Sequence, residues 1–318
     1  MSGASIAYRG ITESRPMRGF PAYAWSLVAY NLAVILWGAL VRATGSGAGC
    51  GGSWPLCNGD VLLVNPQVAT MIEFVHRAMS GVALITVVIL AVWAWRVYPA
   101  GHRARRWAML SLVFMLSEAL IGAALVLLGH VAKNESVGRV FSLSTHLINT
   151  FLLLASLALA AWWSQRAFDD PAARLSPRKQ GQLATGLVAL VLVAMAGVIT
   201  ALGDTLFPAH SLRQGIAEDF AATANFLIRL RVIHPVLAVT TAVYLAVIGL
   251  RQLRAGAAGP LRTLSTLLLG LLGTQIVVGT LTFLLKAPLP MQLAHLLVAD
   301  CLWITLVLFA SERLRGQA

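Results

Sequence analysis

Charged residues are scarce in this 318-residue chain. Only 11% of its residues are Asp, Glu, Lys or Arg, whereas soluble domains carry about 25%. Hydrophobic residues make up 58%, and the mean hydropathy is +0.78. This composition excludes a soluble globular fold, a disordered chain and, despite the net charge of +12, a nucleic-acid-binding domain. Three cysteines are too few for a disulfide scaffold, and they leave room for one bridge and one odd thiol.

What the chain has instead is a series of long apolar runs. A helix needs about 20 apolar residues to cross the hydrocarbon of a membrane. We expect the first run to be a retained span rather than a signal peptide, because a polar arm precedes it. The runs occupy the intervals 18–42, 70–95, 107–129, 139–166, 180–203, 226–250, 263–285 and 290–311. They predict an all-α integral membrane protein with eight transmembrane helices and no attached soluble domain.

Basic residues are shared unevenly between the two sides that alternating helices create. One set of alternate loops, with both termini, holds 16 Lys and Arg residues, and the other set holds 8. Since Lys and Arg accumulate on the cytoplasmic side, both termini are predicted to be cytoplasmic. The outer eight are Arg42, Arg77, Lys133, Arg139, Arg213, Arg229, Arg231 and Lys286.

Several residues recur at a nearly constant offset. The pairs are Gly38 with Gly197, His76 with His234, Ile121-Gly122 with Val278-Gly279, and His146 with His295. We interpret them as two pseudo-symmetric four-helix bundles, related by an axis along the membrane normal because each half has an even number of helices. The predicted organisation is a cytoplasmic arm (1–20), an N-terminal half (21–166), a cytoplasmic linker (167–181) and a C-terminal half (182–318).

Four of the seven histidines lie inside predicted helices at one depth. Each follows the outer start of an even-numbered span by one to two turns, on the order of 10 Å below the surface. A hydrogen bond between helices explains one such histidine, but four on helices of one direction favour metal binding. The four are His76, His146, His234 and His295, whereas His102, His130 and His210 fall in loops and are expected to be solvated.

The number of candidate ligands distinguishes two kinds of metal centre. A di-iron carboxylate site needs two Glu-x-x-His motifs and two further glutamates inside the bundle. Glu73 and His76 form one such motif, and Glu118 is the one other glutamate inside a predicted helix. Glu118 and Asp300 are instead expected to be paired or hydrogen-bonded within the bundle. Haem needs only axial ligands from the protein, so two histidines in each half would suffice for one haem each.

Haem propionates need cations near the aqueous boundary. The arginines predicted at this boundary are Arg42, Arg77, Arg139, Arg229 and Arg231. For each of them, the alternative is interfacial snorkelling without a ligand. Both interpretations stay open at this point.

The two predicted halves differ next to their first histidine. Glu73 precedes His76 by one turn and Arg77 follows it, whereas Pro235 follows His234. An acid on the same helix face as a haem ligand could move protons or stabilise a cationic intermediate, and the alternative is an ion pair with a nearby arginine. Pro235 is expected to bend the sixth helix.

The first predicted outer loop is rich in glycine and contains Cys50 and Cys57. On the oxidising side of a membrane, a disulfide is the expected state of such a pair. The bridge either tethers the loop or exchanges electrons or thiols with a redox centre below it. Cys301, deep in the eighth helix, is expected to behave as a small hydrophobic residue.

Two segments carry a resemblance to a known family. They are Arg42-Ala43-Thr44-Gly45-Ser46-Gly47, continuing through Cys50 to Trp54-Pro55-Leu56-Cys57, and Glu73-Phe74-Val75-His76-Arg77. With the histidines of helices four, six and eight, they resemble the heme A synthase family over nearly the whole chain. The cysteine pair is similar to that of the branch that keeps such a pair in the first extracellular loop.

The resemblance implies a function and a set of site residues. The family oxidises the C8 methyl group of haem O to a formyl group by successive hydroxylations, which gives haem A for terminal oxidases. The resemblance implies that His76 and His146 are axial ligands of the substrate haem, with Glu73 as the catalytic carboxylate. It implies that His234 and His295 hold a resident haem b.

The implied setting is a bacterial cell membrane, with the haem sites near its outer face. Haem O is the implied substrate, haem O synthase is a candidate partner, and homo-oligomerisation stays open. Two other functions suit most of the same residues. One is a bis-haem b transmembrane electron-transfer protein, and the other is a haem chaperone or exporter, both without haem-modifying activity.

Overall fold

The computed structural model describes residues 19–61, 63–166 and 177–315. Most of the predicted arm (1–20) and of the predicted linker (167–181) lies outside the described residues. The described part of the linker is helical, because the fifth long helix begins at Pro177.

Helices account for the architecture of the described residues. Eight stretches are long and apolar enough to cross a membrane, and the sixth of them, Phe226–Arg254, contains two consecutive α-helices. No β-strand occurs in the described ranges. The protein is a multi-pass, all-α membrane protein, as predicted. The helices are α1 (Phe20–Ala43), α2 (Val68–Val97), α3 (Arg103–Leu127), α4 (Val137–Trp163), α5 (Pro177–Leu206), α6 (Leu212–Asp219), α7 (Phe226–Arg229), α8 (Ile233–Arg254), α9 (Gly259–Leu284) and α10 (Leu289–Arg315).

The core of the molecule lies along α4 and α10, one helix from each predicted half. In the most apolar segment of α4, 61% of the residues are buried, and in that of α10, 56% are buried. In the other spans, this share ranges from 11% to 33%. Both helices are apolar around most of their circumference, which is typical of helices buried on all sides. The rings of Phe151 and Trp303 stack at 4.8 Å, and the Trp303 indole donates to the Phe151 carbonyl at 2.7 Å.

Arg42 joins the two predicted halves at one end of this core. It lies in the last turn of α1 and reaches α5, where Nη1 donates to the Ala201 carbonyl at 2.7 Å and to Thr205 Oγ1 at 2.9 Å. Its Nη2 donates to Gln292 Oε1 of α10 at 3.0 Å. A buried guanidinium needs such acceptors, because hydrocarbon offers it none.

A second polar cluster joins the halves at the opposite end. Arg166 Nη2 lies 2.7 Å from Glu312 Oε1 of α10. The same carboxylate oxygen accepts from Trp162 Nε1 at 2.6 Å. The Arg166 guanidinium also stacks over the Trp162 ring, 4.2 Å from its centroid. Polar contacts therefore join the two predicted halves at both ends of the bundle, through Arg42 at one end and Arg166 at the other.

The sixth span is interrupted where Pro235 predicts a bend. α7 ends at Arg229, a 3₁₀ turn covers Leu230–Val232, and α8 begins at Ile233. Pro235 lacks the N–H that would continue the α-helical hydrogen bonds, which accounts for a break at this place. The short helix α6 before it has no counterpart among the predicted spans.

The loops that follow the odd-numbered spans lie at one end of the bundle, here called the disulfide end after the cysteine pair in its first loop. Lys286 Nζ lies 3.3 Å from the His210 carbonyl oxygen, and Asn225 Nδ2 donates to Glu135 Oε2 at 3.3 Å. Both contacts connect loops of this set. The start of α1 and the end of α10 lie at the other end, here called the terminal end. The distribution of basic residues predicts that the disulfide end lies outside the cell. This orientation and the pseudo-symmetry stay predictions.

Cysteine labelling tests the orientation. Lys133→Cys introduces an exposed thiol at the disulfide end, and Arg254→Cys introduces one at the terminal end. With Cys301→Ala in both backgrounds, a membrane-impermeant maleimide should label the first variant in intact cells and the second only after permeabilisation. The Cys301→Ala protein alone provides the background. The opposite labelling pattern would contradict the predicted topology.

Candidate functional site

The four intramembrane histidines form a layer below the disulfide end. His76, His146, His234 and His295 lie 8, 9, 8 and 6 residues after the first residue of their spans. At about 1.5 Å per residue, these positions are roughly 9–14 Å along the helices. The structure therefore places all four histidines at the common depth that the sequence predicts.

A glycine on the preceding span faces each imidazole. A Cβ atom added to the glycine would lie close to the ring in the pairs Gly38–His76 (2.9 Å), Gly122–His146 (3.8 Å), Gly197–His234 (2.9 Å) and Gly279–His295 (2.8 Å). In three of these pairs, the distance is too short for any residue with a Cβ atom, so only glycine leaves room for the ring. The glycines therefore set how closely the imidazoles approach the neighbouring backbone.

In the C-terminal half, two imidazoles lie close together in an edge-to-face arrangement. The ring centroids of His234 and His295 are 6.3 Å apart, and the ring planes are 88° apart. Imidazoles that bind one metal ion from opposite sides have centroids on the order of 6 Å apart, since each metal–nitrogen bond is about 2 Å. His234 Nδ1 lies 3.1 Å from the Val193 carbonyl oxygen. A proton on Nδ1 would be held there and would leave Nε2 free for a metal.

In the N-terminal half, the two histidines are His76 of α2 and His146 of α4. His146 Nδ1 lies 2.9 Å from Glu118 Oε1, so the prediction that Glu118 is paired inside the bundle is confirmed. Within the described ranges, His76 Nδ1 and His295 Nδ1 are buried without a hydrogen-bond partner. Buried polar atoms without partners call for an explanation, and a bound ligand is one.

These residues fit axial ligation of haem better than a metal ion held by the protein alone. No group of three His, Cys, Asp or Glu side chains in the described part of the chain converges on a common point. Haem requires only one or two axial side chains, because the porphyrin supplies the other iron ligands. The adjacent histidines of the C-terminal half, with ring centroids 6.3 Å apart, are compatible with this requirement.

Glu73 and Arg77 hold the disulfide loop against α2. Glu73 is 3% exposed, and its Oε2 accepts from the Cys50 backbone N–H at 2.8 Å. Its Oε1 lies 2.5 Å from Arg77 Nη2. Arg77 Nη1 donates to the loop carbonyls of Ser53 at 2.7 Å and Leu56 at 2.8 Å. The ion pair considered from the sequence is therefore present, and both carboxylate oxygens have partners.

Other arginines predicted at the boundary also bind protein groups. Arg42 joins the halves as described above. Arg139 Nη1 donates to the carbonyls of Ala132 at 2.6 Å and Asn134 at 2.8 Å. Its Nε is buried and has no hydrogen-bond partner among the described residues. Arg229 is exposed and lines an open cavity of about 500 Å³ together with Phe226.

Arg231 occupies the position that corresponds to Glu73, a substitution that sequence reasoning missed. It lies three residues before His234, as Glu73 lies three before His76. Its guanidinium lies 3.2 Å from Asp204 and 3.9 Å from Asp219. Burial raises the pKa of the Asp219 carboxyl, although Arg231 opposes this shift. The offset between the two histidines, applied to Glu73, would have identified this reversal of charge.

Three residues considered in the sequence analysis remain: His102, Cys301 and Asp300. The prediction that His102 is solvated is wrong, because this residue is buried. It caps α3 by accepting from the Ala104 N–H at 3.1 Å, and burial lowers the pKa of its imidazole. Cys301 is a free thiol in α10, as predicted. The prediction that Asp300 is paired is wrong: its carboxylate is buried without a hydrogen-bond partner in the described ranges. Sequence periodicity places an acid inside a bundle but does not show whether a donor faces it.

Residues 21–307 match the cytochrome oxidase assembly protein family, COX15-CtaA. This chain belongs to that family. A protein of Thermus thermophilus named protoheme IX farnesyltransferase is 44% identical over 300 residues, which are 93% of this chain and 48% of that protein. Heme A synthase of Halalkalibacterium halodurans is 39% identical over 125 residues, which are 39% of this chain and 41% of that protein. Heme A synthase of Bacillus mycoides is 47% identical over 100 residues, which are 31% and 32% of the two chains. The matches therefore span about half, or less, of the length of these relatives.

The disulfide places the chain within a branch of the cytochrome oxidase assembly family. Cys50 and Cys57 are bonded, as predicted. This bond supports the branch that has a cysteine pair in its first extracellular loop. The bond closes the loop whose carbonyls Arg77 binds, so the disulfide and the Glu73–Arg77 pair form one connected structure.

Substitution of Arg77 tests whether this arginine protects the loop. Arg77→Gln removes donors to the Ser53 and Leu56 carbonyls, so the loop should open more often. We expect the Cys50–Cys57 bond to be reduced several-fold faster by a soluble dithiol, measured as thiol alkylation over time in detergent-purified protein. Arg103→Gln, at the terminal end, should leave the rate unchanged. Equal rates for both variants and the wild type would show that Arg77 does not hold the loop.

Proposed function

We propose that this chain is a heme A synthase that oxidises the C8 methyl group of haem O to a formyl group. The observation that carries the proposal is that the four histidines lie in one layer, while Glu73 accompanies a histidine of the N-terminal half alone. Family membership and the heme A synthases among its relatives support it. Two successive hydroxylations of the methyl group would give a gem-diol, with water supplying each oxygen atom and an external electron acceptor taking two electrons, with release of two protons, at each step. The gem-diol would then lose water to leave the formyl group.

The two predicted halves would bind different haems. His76 and His146 would bind the substrate haem O in the N-terminal half, and His234 and His295 would hold a resident haem b in the C-terminal half. When bound, haem b supplies one-electron chemistry. The 6.3 Å separation of the His234 and His295 rings supports their pairing on one iron.

Glu73 would act as the catalytic carboxylate next to the substrate. It lies one helical turn before His76, so the two side chains share a face of α2. Arg77 and the Cys50 N–H hold its two oxygens, which fixes the carboxylate in position. A carboxylate oxygen so placed could take or return a proton at the reacting carbon.

The arginines of the disulfide end would bind the haem propionates. Arg229 is the most favourable of them, because it is exposed and lines the open cavity next to the turn that precedes His234. Arg139 has a buried Nε with no partner among the described residues, which could donate to a propionate. Arg42, Arg77 and Arg231 would each need to share donors with their protein acceptors.

The membrane setting and a partner complete the proposal. The disulfide end would face outside a bacterial cell membrane, which places the haem sites near the outer face. Haem O synthase would supply the substrate, because a relative named protoheme IX farnesyltransferase matches 93% of this chain over less than half of its own length. The disulfide loop is the proposed contact or redox element for this exchange.

A second candidate function is bis-haem b electron transfer without haem modification. One observation favours it. Glu73 Oε1 is paired with Arg77 and Oε2 accepts from the Cys50 N–H, so both oxygens have protein partners, as in a purely structural ion pair. Pigment analysis separates the two functions, because only the synthase changes the haem periphery.

Co-expression with haem O synthase tests the reaction. Wild-type protein should yield haem A or its hydroxymethyl intermediate in solvent extracts analysed by chromatography and mass spectrometry. Glu73→Ala should retain haem but accumulate haem O, with turnover lower by about 10² to 10⁴, the range of a lost general acid or base. Glu135→Ala, an exposed acid in another loop, should behave as wild type. If wild-type protein yields only haem b under these conditions, the synthase proposal fails and the electron carrier stands.

Histidine substitutions test the resident haem. His234→Ala and His295→Ala should each lose most of the haem b of the C-terminal half, because each variant removes one of the two proposed bonds from the protein to the iron. The measurement is the haem-to-protein ratio of purified protein, determined by the pyridine haemochrome spectrum. His210→Ala, an exposed loop histidine, is the matched control. An unchanged ratio in both test variants would refute the ligand assignment.

A further inference from the structure

The histidines of α4 and α10 have different partners on the helix before them. His146 Nδ1 lies 2.9 Å from Glu118 Oε1 of α3. His295 Nε2 lies 3.3 Å from Gln275 Nε2 of α9. Both partners lie four residues, about one turn, before the glycine that faces the histidine. A carboxylate in the N-terminal half therefore corresponds to a neutral amide in the C-terminal half.

Two further side chains hold the carboxylate in place. Asn149 Nδ2 donates to Glu118 Oε2 at 2.6 Å, and Thr150 Oγ1 donates to Oε1 at 2.5 Å. Asn149 is itself anchored, since Nδ2 also donates to the Phe114 carbonyl at 2.8 Å. The two donors follow His146 by three and four residues, so they lie on its own helix face. Glu118 is thus fixed in contact with the His146 ring.

The amide has no such support. Val298 and Ala299 follow His295 at the same spacing, and neither side chain can donate a hydrogen bond. Gln275 Oε1 and His295 Nδ1 are buried without a hydrogen-bond partner in the described part of the chain. The second histidine of the C-terminal half therefore has a neutral and loosely held neighbour.

A carboxylate next to a ligating histidine changes the reduction potential of the metal that the histidine binds. When Nδ1–H donates to a carboxylate, the ring is fixed and the other nitrogen becomes a more basic ligand. A more basic axial ligand stabilises the oxidised iron, and hydrogen bonding to the axial ligand is one of the means by which proteins set haem reduction potentials. A neutral amide has no charge with which to produce this effect.

We propose, resting on the proposed function, that Glu118 is a positioning residue for His146 that lowers the reduction potential of the haem bound in the N-terminal half. Gln275 takes the corresponding place in the C-terminal half, but against Nε2 of His295, so that Nδ1 would be the nitrogen of this ring left for iron. The neutral amide leaves the potential of that haem higher than a carboxylate would. The two sites thus share one packing arrangement and differ in the charge behind one ligand.

Redox titration of the purified haem-loaded protein tests this role. Glu118→Gln keeps the shape of the side chain and removes its charge. The variant should keep both haems and shift the oxidised-to-reduced ratio of one of them about tenfold toward the reduced form at a fixed potential. For one electron, this is a rise of about 59 mV. Glu135→Gln, on an exposed loop, is the control and should change neither potential.

The reciprocal variant tests the other site. Gln275→Glu should lower the potential of the haem in the C-terminal half and leave the other unchanged. To assign the potentials, Glu118→Gln is combined with His295→Ala, which should leave only the N-terminal haem. The rise in potential should persist in this background.

The outcomes separate this role from the proposed function. If both haems are bound and Glu118→Gln leaves both potentials unchanged or lowers one, the role of Glu118 is refuted while haem binding stands. If the wild-type protein binds no haem in either half, the proposed function itself fails. If Glu118→Gln does not accumulate as folded protein, Gln275→Glu decides, and an unchanged potential in that variant also refutes the proposal.

Discussion

Hydrocarbon contains no water, so a polar group that the helices bring into the membrane is costly unless the protein or a bound ligand supplies its partner. The contacts between distant parts of the chain follow from this constraint. Arg42 extends from α1 to α5 and α10, and Arg166 meets Glu312 at the opposite end. These bonds fasten the two sides of the apolar core formed by α4 and α10. The polar residues of this protein therefore determine how its apolar helices are assembled, although they are few.

The same constraint explains how the histidines are held. Each imidazole packs against a glycine of the neighbouring span, where a side chain would collide with the ring in three of the four pairs. This close approach fixes the depth of the ring by van der Waals contact, which needs no polar partner. Hydrogen bonds then orient individual rings, as the Val193 carbonyl does for His234. A layer of imidazoles at one depth is the result.

Charges distinguish the two predicted halves, although each of their histidines packs against a glycine in the same way. Near the first histidine, Glu73 pairs with Arg77 and the disulfide loop, whereas Arg231 at the corresponding position pairs with Asp204. Near the second histidine, a carboxylate corresponds to an amide. Charge interactions are strong where the effective dielectric constant is low, so such exchanges alter chemistry without altering the fold. Two sites of similar shape can therefore serve different tasks.

Sequence alone determined the eight spans, the common depth of the four histidines, the candidate disulfide and the break near Pro235. Each depends on spacing along one helix or loop, where composition and periodicity dictate the outcome. The tertiary structure decided which groups meet. In it, Arg42 binds groups of both predicted halves, and Arg77 binds both Glu73 and the carbonyls of the disulfide loop. Glu118 contacts His146, whereas Asp300 has no partner in the described ranges. These outcomes depend on how helices rotate and cross, because a hydrogen bond between helices requires two side chains to meet within about 3 Å, a condition that no single helix specifies.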